Sequence, residues 1–185
     1  MRTLLIGGAR SGKSALAARW ANERSPNVCA LVTGTESDPE MAARIAAHRR
    51  ERPSHWKVRE EPVYLGRALR EERGLMLVDC LTLWVSNCLW PPGREAADHP
   101  GWRRERDDFL DALGARAGEI IIVTNEVGTG IVPNNSAARL FRDEHGWLNQ
   151  EVAAICDEVY FVTAGLGLCL KPSQTEPGRR ATPPR

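Results

Sequence analysis

The chain has 185 residues, 42% of them apolar, enough for one sizeable core and too few for two ordinary domains. Its 25 Lys and Arg against 24 Asp and Glu leave a net charge of +1, so there is no whole-protein basic field to bind nucleic acid through its phosphates, and any anion site must be local. Five cysteines, Cys29, Cys80, Cys88, Cys156 and Cys169, stand far apart in mostly apolar runs, which fits buried thiols better than a disulfide framework or a zinc site.

Along the chain, short apolar runs rich in branched residues alternate with longer stretches of helical period, the pattern of a parallel sheet covered by helices. TLLIG, residues 3–7, is the first predicted strand, and a helix is predicted over 12–23. CALVTG, residues 29–34, is the second, followed by helices over 37–51 and 62–72. LMLVDC, residues 75–80, leads into a helix over 81–90; PPGREAADHPG, residues 91–101, reads as a loop, and a helix follows over 103–117. EIIIVTNEV, residues 119–127, precedes a helix over 134–156, and EVYFVTAG, residues 158–165, is the last parallel strand. LGLCLK, residues 166–171, lacks a helix-length crossover before it and is expected to pair back as an antiparallel edge strand. Residues 1–171 are thus expected to form one α/β domain and residues 172–185, PSQTEPGRRATPPR with Lys171 before them excluded, a disordered tail. No apolar run approaches a membrane span, and Met1 leads at once into a strand-like run in place of a signal-peptide core, so a cytoplasmic location is expected.

GGARSGKS, comprising Gly7, Gly8, Ala9, Arg10, Ser11, Gly12, Lys13 and Ser14, fits G-x-x-x-x-G-K-[ST] at every fixed position and lies between a predicted strand and a predicted helix. The glycines let backbone N–H groups point at phosphate oxygens, and the helix N-terminus adds its dipole. Lys13 is placed to reach the β- and γ-phosphates, and the Ser14 hydroxyl to bind magnesium. Asp79 ends a buried strand at the carboxyl edge, where ligands of open α/β sheets collect. It is read either as an acid that holds magnesium or as the N-cap of the next helix. TNEVGTGIVPNN, residues 124–135, places Asn125 and Glu126 at the same edge, a composition that turn chemistry alone would also produce.

AARIAAHRRERPSHW, residues 42–56, sets His48 among arginines. On a helix over 37–51, Arg44, His48 and Arg52 would share one face while Met41 and Ile45 turn toward the core, and Pro53 would help to end it. A solvated basic face is one reading. The other follows from the sheet edge to which this helix is tied: like charge disfavours the imidazolium, leaving a neutral imidazole suited to attack on phosphorus, beside arginines that could receive a triphosphate. A P-loop kinase needs no histidine nucleophile, so His48 hints at a second reaction.

GGARSGKS, DPEMAARIAAHRRERPSHW with EEP after it, LVDCLTLWVSN and TNEVGTGIVPNNSAARLFRDEHGWLNQ together resemble the bifunctional adenosylcobinamide kinase/adenosylcobinamide-phosphate guanylyltransferase family of cobalamin biosynthesis, over residues 1 to about 171. The resemblance implies a P-loop, RecA-like, mostly parallel sheet flanked by helices, and a homotrimer. It implies a kinase step on the aminopropanol hydroxyl of adenosylcobinamide, then transfer of GMP from GTP to that phosphate through a guanylylated histidine. Magnesium with GTP or ATP is the implied nucleotide chemistry. By position, His48 becomes the GMP-histidine and Gly7 to Ser14 the phosphate cradle, while Thr33, Gly34, Thr35, Arg49, Arg50, Glu51, Arg52, Glu60 or Glu61, and Asp79 fall where further nucleotide or metal contacts are implied. Some relatives carry a second histidine just before the nucleophile; here that residue is Ala47, and His55 lies past Pro53, off the helical face. Two rivals differ in chemistry: a P-loop small-molecule kinase without guanylyl transfer, and a GTP-binding regulatory module that modifies no small molecule. Trp84 and Trp90 are candidates for a subunit interface as much as for the core.

Overall fold

The computed structural model describes residues 1–35, 42–43, 45–46, 49–50 and 52–173. In chain order its elements are β1 (Arg2–Gly7), α1 (Lys13–Arg24), β2 (Val28–Val32), β3 (Lys57–Glu60), α2 (Leu65–Glu71), β4 (Leu75–Asp79), α3 (Leu81–Leu89), α4 (His99–Ala115), β5 (Ile120–Asn125), α5 (Ser136–Ile155), β6 (Glu158–Thr163) and β7 (Leu166–Lys171). Residues 42–43, 45–46 and 49–50 are helical as well. The expected tail from residue 174 onward, and with it Met41, Arg44, His48 and Glu51, lies outside the described residues.

The strands form one sheet in the order β3-β2-β4-β5-β1-β6-β7, parallel throughout except for the β6–β7 pair. Alternation along each strand builds a core on both faces. Leu5, Leu77, Ile121 and Val123 pack against Leu16, Ala17 and Ala21 of α1. Leu4, Val78 and Ile122 face the other way, onto Leu69, Trp84, Phe109 and Leu148 of the remaining helices. Because β1 to β6 run in parallel, Gly7, Val32, Glu60, Asp79 and Asn125 end their strands at one edge of the sheet, and β5 separates the glycine-loop strand from the Asp79 strand. This is an α/β P-loop architecture with helices on both faces and one antiparallel edge strand.

On three points the structure adds to the sequence reading, corrects it or decides between its alternatives. Lys57–Glu60 forms an edge strand that the sequence does not announce, paired with β2 and largely exposed. The loop expected over 91–101 ends early, because Asp98 accepts from the Gly101 N–H and Pro100 sits in the first turn, so α4 begins at His99. Trp84 belongs to the core: it is fully buried against Trp102 and Phe109, and its indole donates to the Val63 carbonyl at 2.7 Å. The five cysteines are free; burial pushes the Cys88 and Cys156 thiols up to about 12, so these two are inert packing groups.

Candidate nucleotide site

The glycine loop turns between β1 and α1 with two residues in the left-handed region, Arg10 (φ 58) and Gly12 (φ 90). Gly12 is the N-cap of α1 and offers no side chain, and no acid stands in the first turn, so the first N–H groups of the helix are left for an anion. By contrast, α5 is closed by Asn135, whose side chain accepts from Ala137 and Ala138. The loop is braced from two sides: Glu126 N–H donates to the Gly7 carbonyl at 3.0 Å, and Gly165 N–H in the β6–β7 turn donates to the Ser11 carbonyl at 2.8 Å. Ser11 Oγ is buried and finds no partner among the described residues.

Lys13 is 8% exposed and folds back to donate to the Gly8 carbonyl at 3.0 Å. Burial pulls its ammonium below the ordinary lysine value, opposed by Cys80 and Asp79. Next to it, the Ser14 hydroxyl donates to Asp79 at 3.4 Å, and Arg52 donates to the other carboxylate oxygen at 2.8 Å, an ion pair with both side chains largely buried. Asp79 is therefore no helix cap: the N-cap of α3 is Cys80, with no side-chain cap bond. A cleft of about 320 Å³ opens beside Ser14 and Asp79, lined also by Ala15, Ala18, Arg19, Pro53 and Leu77.

The remaining candidates lie around this centre with differing partners. Thr33 is fully buried; its hydroxyl donates to the Cys80 carbonyl at 2.7 Å and accepts from the Cys80 N–H at 3.0 Å, so it locks the turn after β4 and does not face the loop. A Cβ on Gly34 would meet Ile45 and Leu83 at 3.4 Å, and Thr35 lies exposed just beyond. Arg49 pairs with Glu60 at 2.8 Å on the surface, whereas Arg50, among the described residues, donates to the Ala46 carbonyl at 3.3 Å. Glu61 accepts from the Tyr64 N–H at 2.9 Å, at the entry to α2, and pairs with Arg59 at 3.6 Å. Sequence reasoning missed a polar cluster under Asn125 formed by Thr82, Thr124, His145 and Asn149. Its trace in the sequence is a histidine and an asparagine four residues apart on the otherwise apolar stripe of Phe141, Leu148 and Val152.

A profile of the cobinamide kinase / cobinamide phosphate guanyltransferase family matches residues 3–170. The chain belongs to this family. Among curated relatives, the bifunctional adenosylcobalamin biosynthesis protein CobP of Pseudomonas aeruginosa is 45% identical over 174 residues, covering 92% of this chain and 98% of that protein. The bifunctional adenosylcobalamin biosynthesis protein CobU of Salmonella typhimurium is 38% identical over 182 residues, covering 92% and 100%. Among solved structures, the RadB recombinase aligns with a TM-score of 0.45 at 15% identity over 86% of this chain and 73% of that one. No described helix is long and apolar enough to cross a membrane.

Proposed function

We propose that this enzyme of the cobinamide kinase / cobinamide phosphate guanyltransferase family performs two transfers at one nucleotide site. The observation that carries the reading is the meeting of the glycine loop, Lys13, Ser14, Asp79 and Arg52 at one sheet edge. In the first transfer the glycine-loop N–H groups and Lys13 hold the triphosphate of ATP or GTP in line with the aminopropanol hydroxyl of adenosylcobinamide. The hydroxyl oxygen bonds to the γ-phosphorus, the bond to the β-phosphate oxygen breaks, the diphosphate leaves, and the hydroxyl proton is lost to water.

In the second transfer a neutral His48 nitrogen attacks the α-phosphorus of GTP and pyrophosphate leaves. A phosphate oxygen of adenosylcobinamide phosphate then displaces the histidine, giving adenosylcobinamide-GDP and free His48. The ion pairs of Arg49 with Glu60 and of Arg52 with Asp79 support this assignment, since they tie arginines of the His48 motif to the ends of β3 and β4.

Magnesium fits between Ser14 and Asp79. Both offer hard oxygens, 3.4 Å apart, against the roughly 3.0 Å that neighbouring ligands at about 2.1 Å require. When bound, it offsets phosphate charge. Arg52, held on the other carboxylate oxygen, would add positive charge at the same place. Catalysis belongs to residues 1–171, and the working form is a homotrimer in the cytoplasm.

Labelled GTP tests the reading. With α-label, wild-type protein should retain GMP through denaturation in alkali and lose it in acid, as a phosphorus–nitrogen bond requires, while His48→Ala retains none and still passes γ-label to adenosylcobinamide. Lys13→Ala should do neither. Wild-type protein that phosphorylates adenosylcobinamide yet takes up no α-label would leave a kinase alone, and label retained by His48→Ala would move the nucleophile elsewhere.

A further inference from the structure

Under the end of β5, on the face away from α1, His145 and Asn149 project from α5 onto Thr124, and Thr82 reaches in from α3. His145 and Thr124 are fully buried and Asn149 is 7% exposed. No step proposed above uses these groups.

Their proton positions follow from which atoms can donate. Thr124 donates its hydroxyl to Asn149 Oδ1 at 2.8 Å, and Asn149 Nδ2 donates to the Asn125 carbonyl at 3.1 Å. Turning the amide over would set two acceptors face to face, so its orientation is fixed. Nδ2 also faces His145 Nδ1 at 3.3 Å, so Nδ1 accepts and bears no proton. The imidazole proton therefore sits on Nε2, 3.2 Å from both the Thr124 and the Thr82 oxygens. Burial works in the same direction, pushing His145 down to about 4.

What this network holds is one residue of the strand end. Asn125 N–H donates to Thr82 Oγ1 at 2.9 Å and Asn125 C=O accepts from Asn149, so side chains, not neighbouring strands, grip both backbone groups. The register sets Asn125 beside Gly7, and β5 lies between the glycine-loop strand and the Asp79 strand. The Asn125 side-chain amide is half-buried and makes no hydrogen bond among the described residues. A neutral amide on that residue, beside Gly7 on the neighbouring strand, is a donor at the edge of the phosphate cradle.

We propose that His145, as the neutral Nε2–H tautomer, is a positioning residue for both transfers, fixing the Asn125 backbone so that the Asn125 amide donates to a phosphate oxygen of the bound nucleotide. The inference rests on the two-transfer reading above. Its chemical logic is geometric, since misplacing a transition-state donor by about 1 Å costs on the order of a hundredfold in rate.

The test uses the full chain with labelled GTP and adenosylcobinamide. His145→Phe fills a similar volume without donating; it should lower kcat of both transfers about tenfold or more while the nucleotide KM stays within about threefold. His145→Gln, whose amide donates toward the threonines and accepts from Asn149, should recover most of that kcat. Asn125→Ala should match His145→Phe, and the double variant should be no slower than either single one, because both remove the same contact. A residue that only stabilises the fold would lower Tm and leave kcat per folded molecule unchanged. Unchanged kcat in His145→Phe, or losses that multiply in the double variant, would overturn the proposal. Nitrogen-15 NMR of wild-type protein at neutral pH gives an answer that needs no substrate: an Nδ1–H tautomer or an imidazolium at His145 would also overturn it. Wild-type protein that transfers neither group would instead sink the two-transfer reading, a result distinct from wild-type turnover that His145→Phe leaves intact.

Discussion

At the scale of single residues, two adjacent glycines of the loop do different things. A Cβ on Gly7 would collide with the Val162 carbonyl oxygen and lie 3.0 Å from Ser11 Oγ, whereas one on Gly8 meets nothing within 4 Å. Gly7 is thus required by the close passage of β6, whereas no contact within the described chain requires Gly8. Overpacking a tight site costs about 1–3 kcal/mol, and in a chain of this size each kcal/mol moves Tm by about 2–4 °C. Gly7→Ala should therefore lower Tm by several degrees in a thermal melt without nucleotide, and Gly8→Ala should leave it within about a degree; equal shifts would show that the β6 contact does not decide. Asp79 illustrates what a residue's own neighbourhood in sequence conceals. Its place at the strand end was legible from LMLVDC, but the choice between cap and ligand was not. The partners that take up its carboxylate and exclude the cap, Ser14 and Arg52, stand 65 and 27 residues away.

At the scale of elements, the parallel strands were legible because each is a run of branched apolar residues buried on both faces. β3 was not, since KVRE at the sheet margin carries no apolar run and is held by pairing with β2 and by charge, Lys57 with Glu72 at 2.7 Å and Arg59 with Glu71 at 2.8 Å. The period of α5 was plain, yet the polar pair within its buried stripe drew no attention, because its meaning depends on Thr82 and Thr124 from other elements. That pair makes stability depend on pH. His145 is held near 4 in the fold against 6.5 when free, so between those values the unfolded chain binds a proton that the native protein does not. Stability is therefore lost as pH falls from about 6.5 toward about 4, by about 3 kcal/mol from this group at 1.36 kcal/mol per pKa unit. Urea unfolding at pH 7 and pH 4.5 should show wild-type protein losing more stability than His145→Gln by most of that amount. Parallel losses in the two proteins would mean that the imidazole takes up its proton in the fold as readily as out of it.

At the scale of the whole molecule, the helices cover the sheet unevenly. On β7, Gly167 faces Leu16 and Trp20 of α1, while Leu166, Leu168 and Leu170 alternate to the opposite side and remain 66%, 61% and 57% exposed. Three leucines in a row on an edge strand form an apolar strip that a solitary chain has reason to avoid, since unpaired strand edges template association. The proposed homotrimer would give that strip an occupant, a second copy of the chain, and the β6–β7 turn that leads into it is the one whose Gly165 N–H braces Ser11 in the glycine loop. Assembly through β7 would then stiffen the phosphate cradle as well as cover the leucines. Light scattering on the eluting protein should give three times the 20.5 kDa chain mass. Leu168→Glu with Leu170→Glu should reduce it to a single chain whose circular dichroism is unaltered, because neither side chain contributes to the monomer core. That single chain should also bind nucleotide more weakly than the trimer. A wild-type mass of one chain would refute the trimer; a variant that still elutes at three would place the interface on another face and leave the leucine strip without a partner.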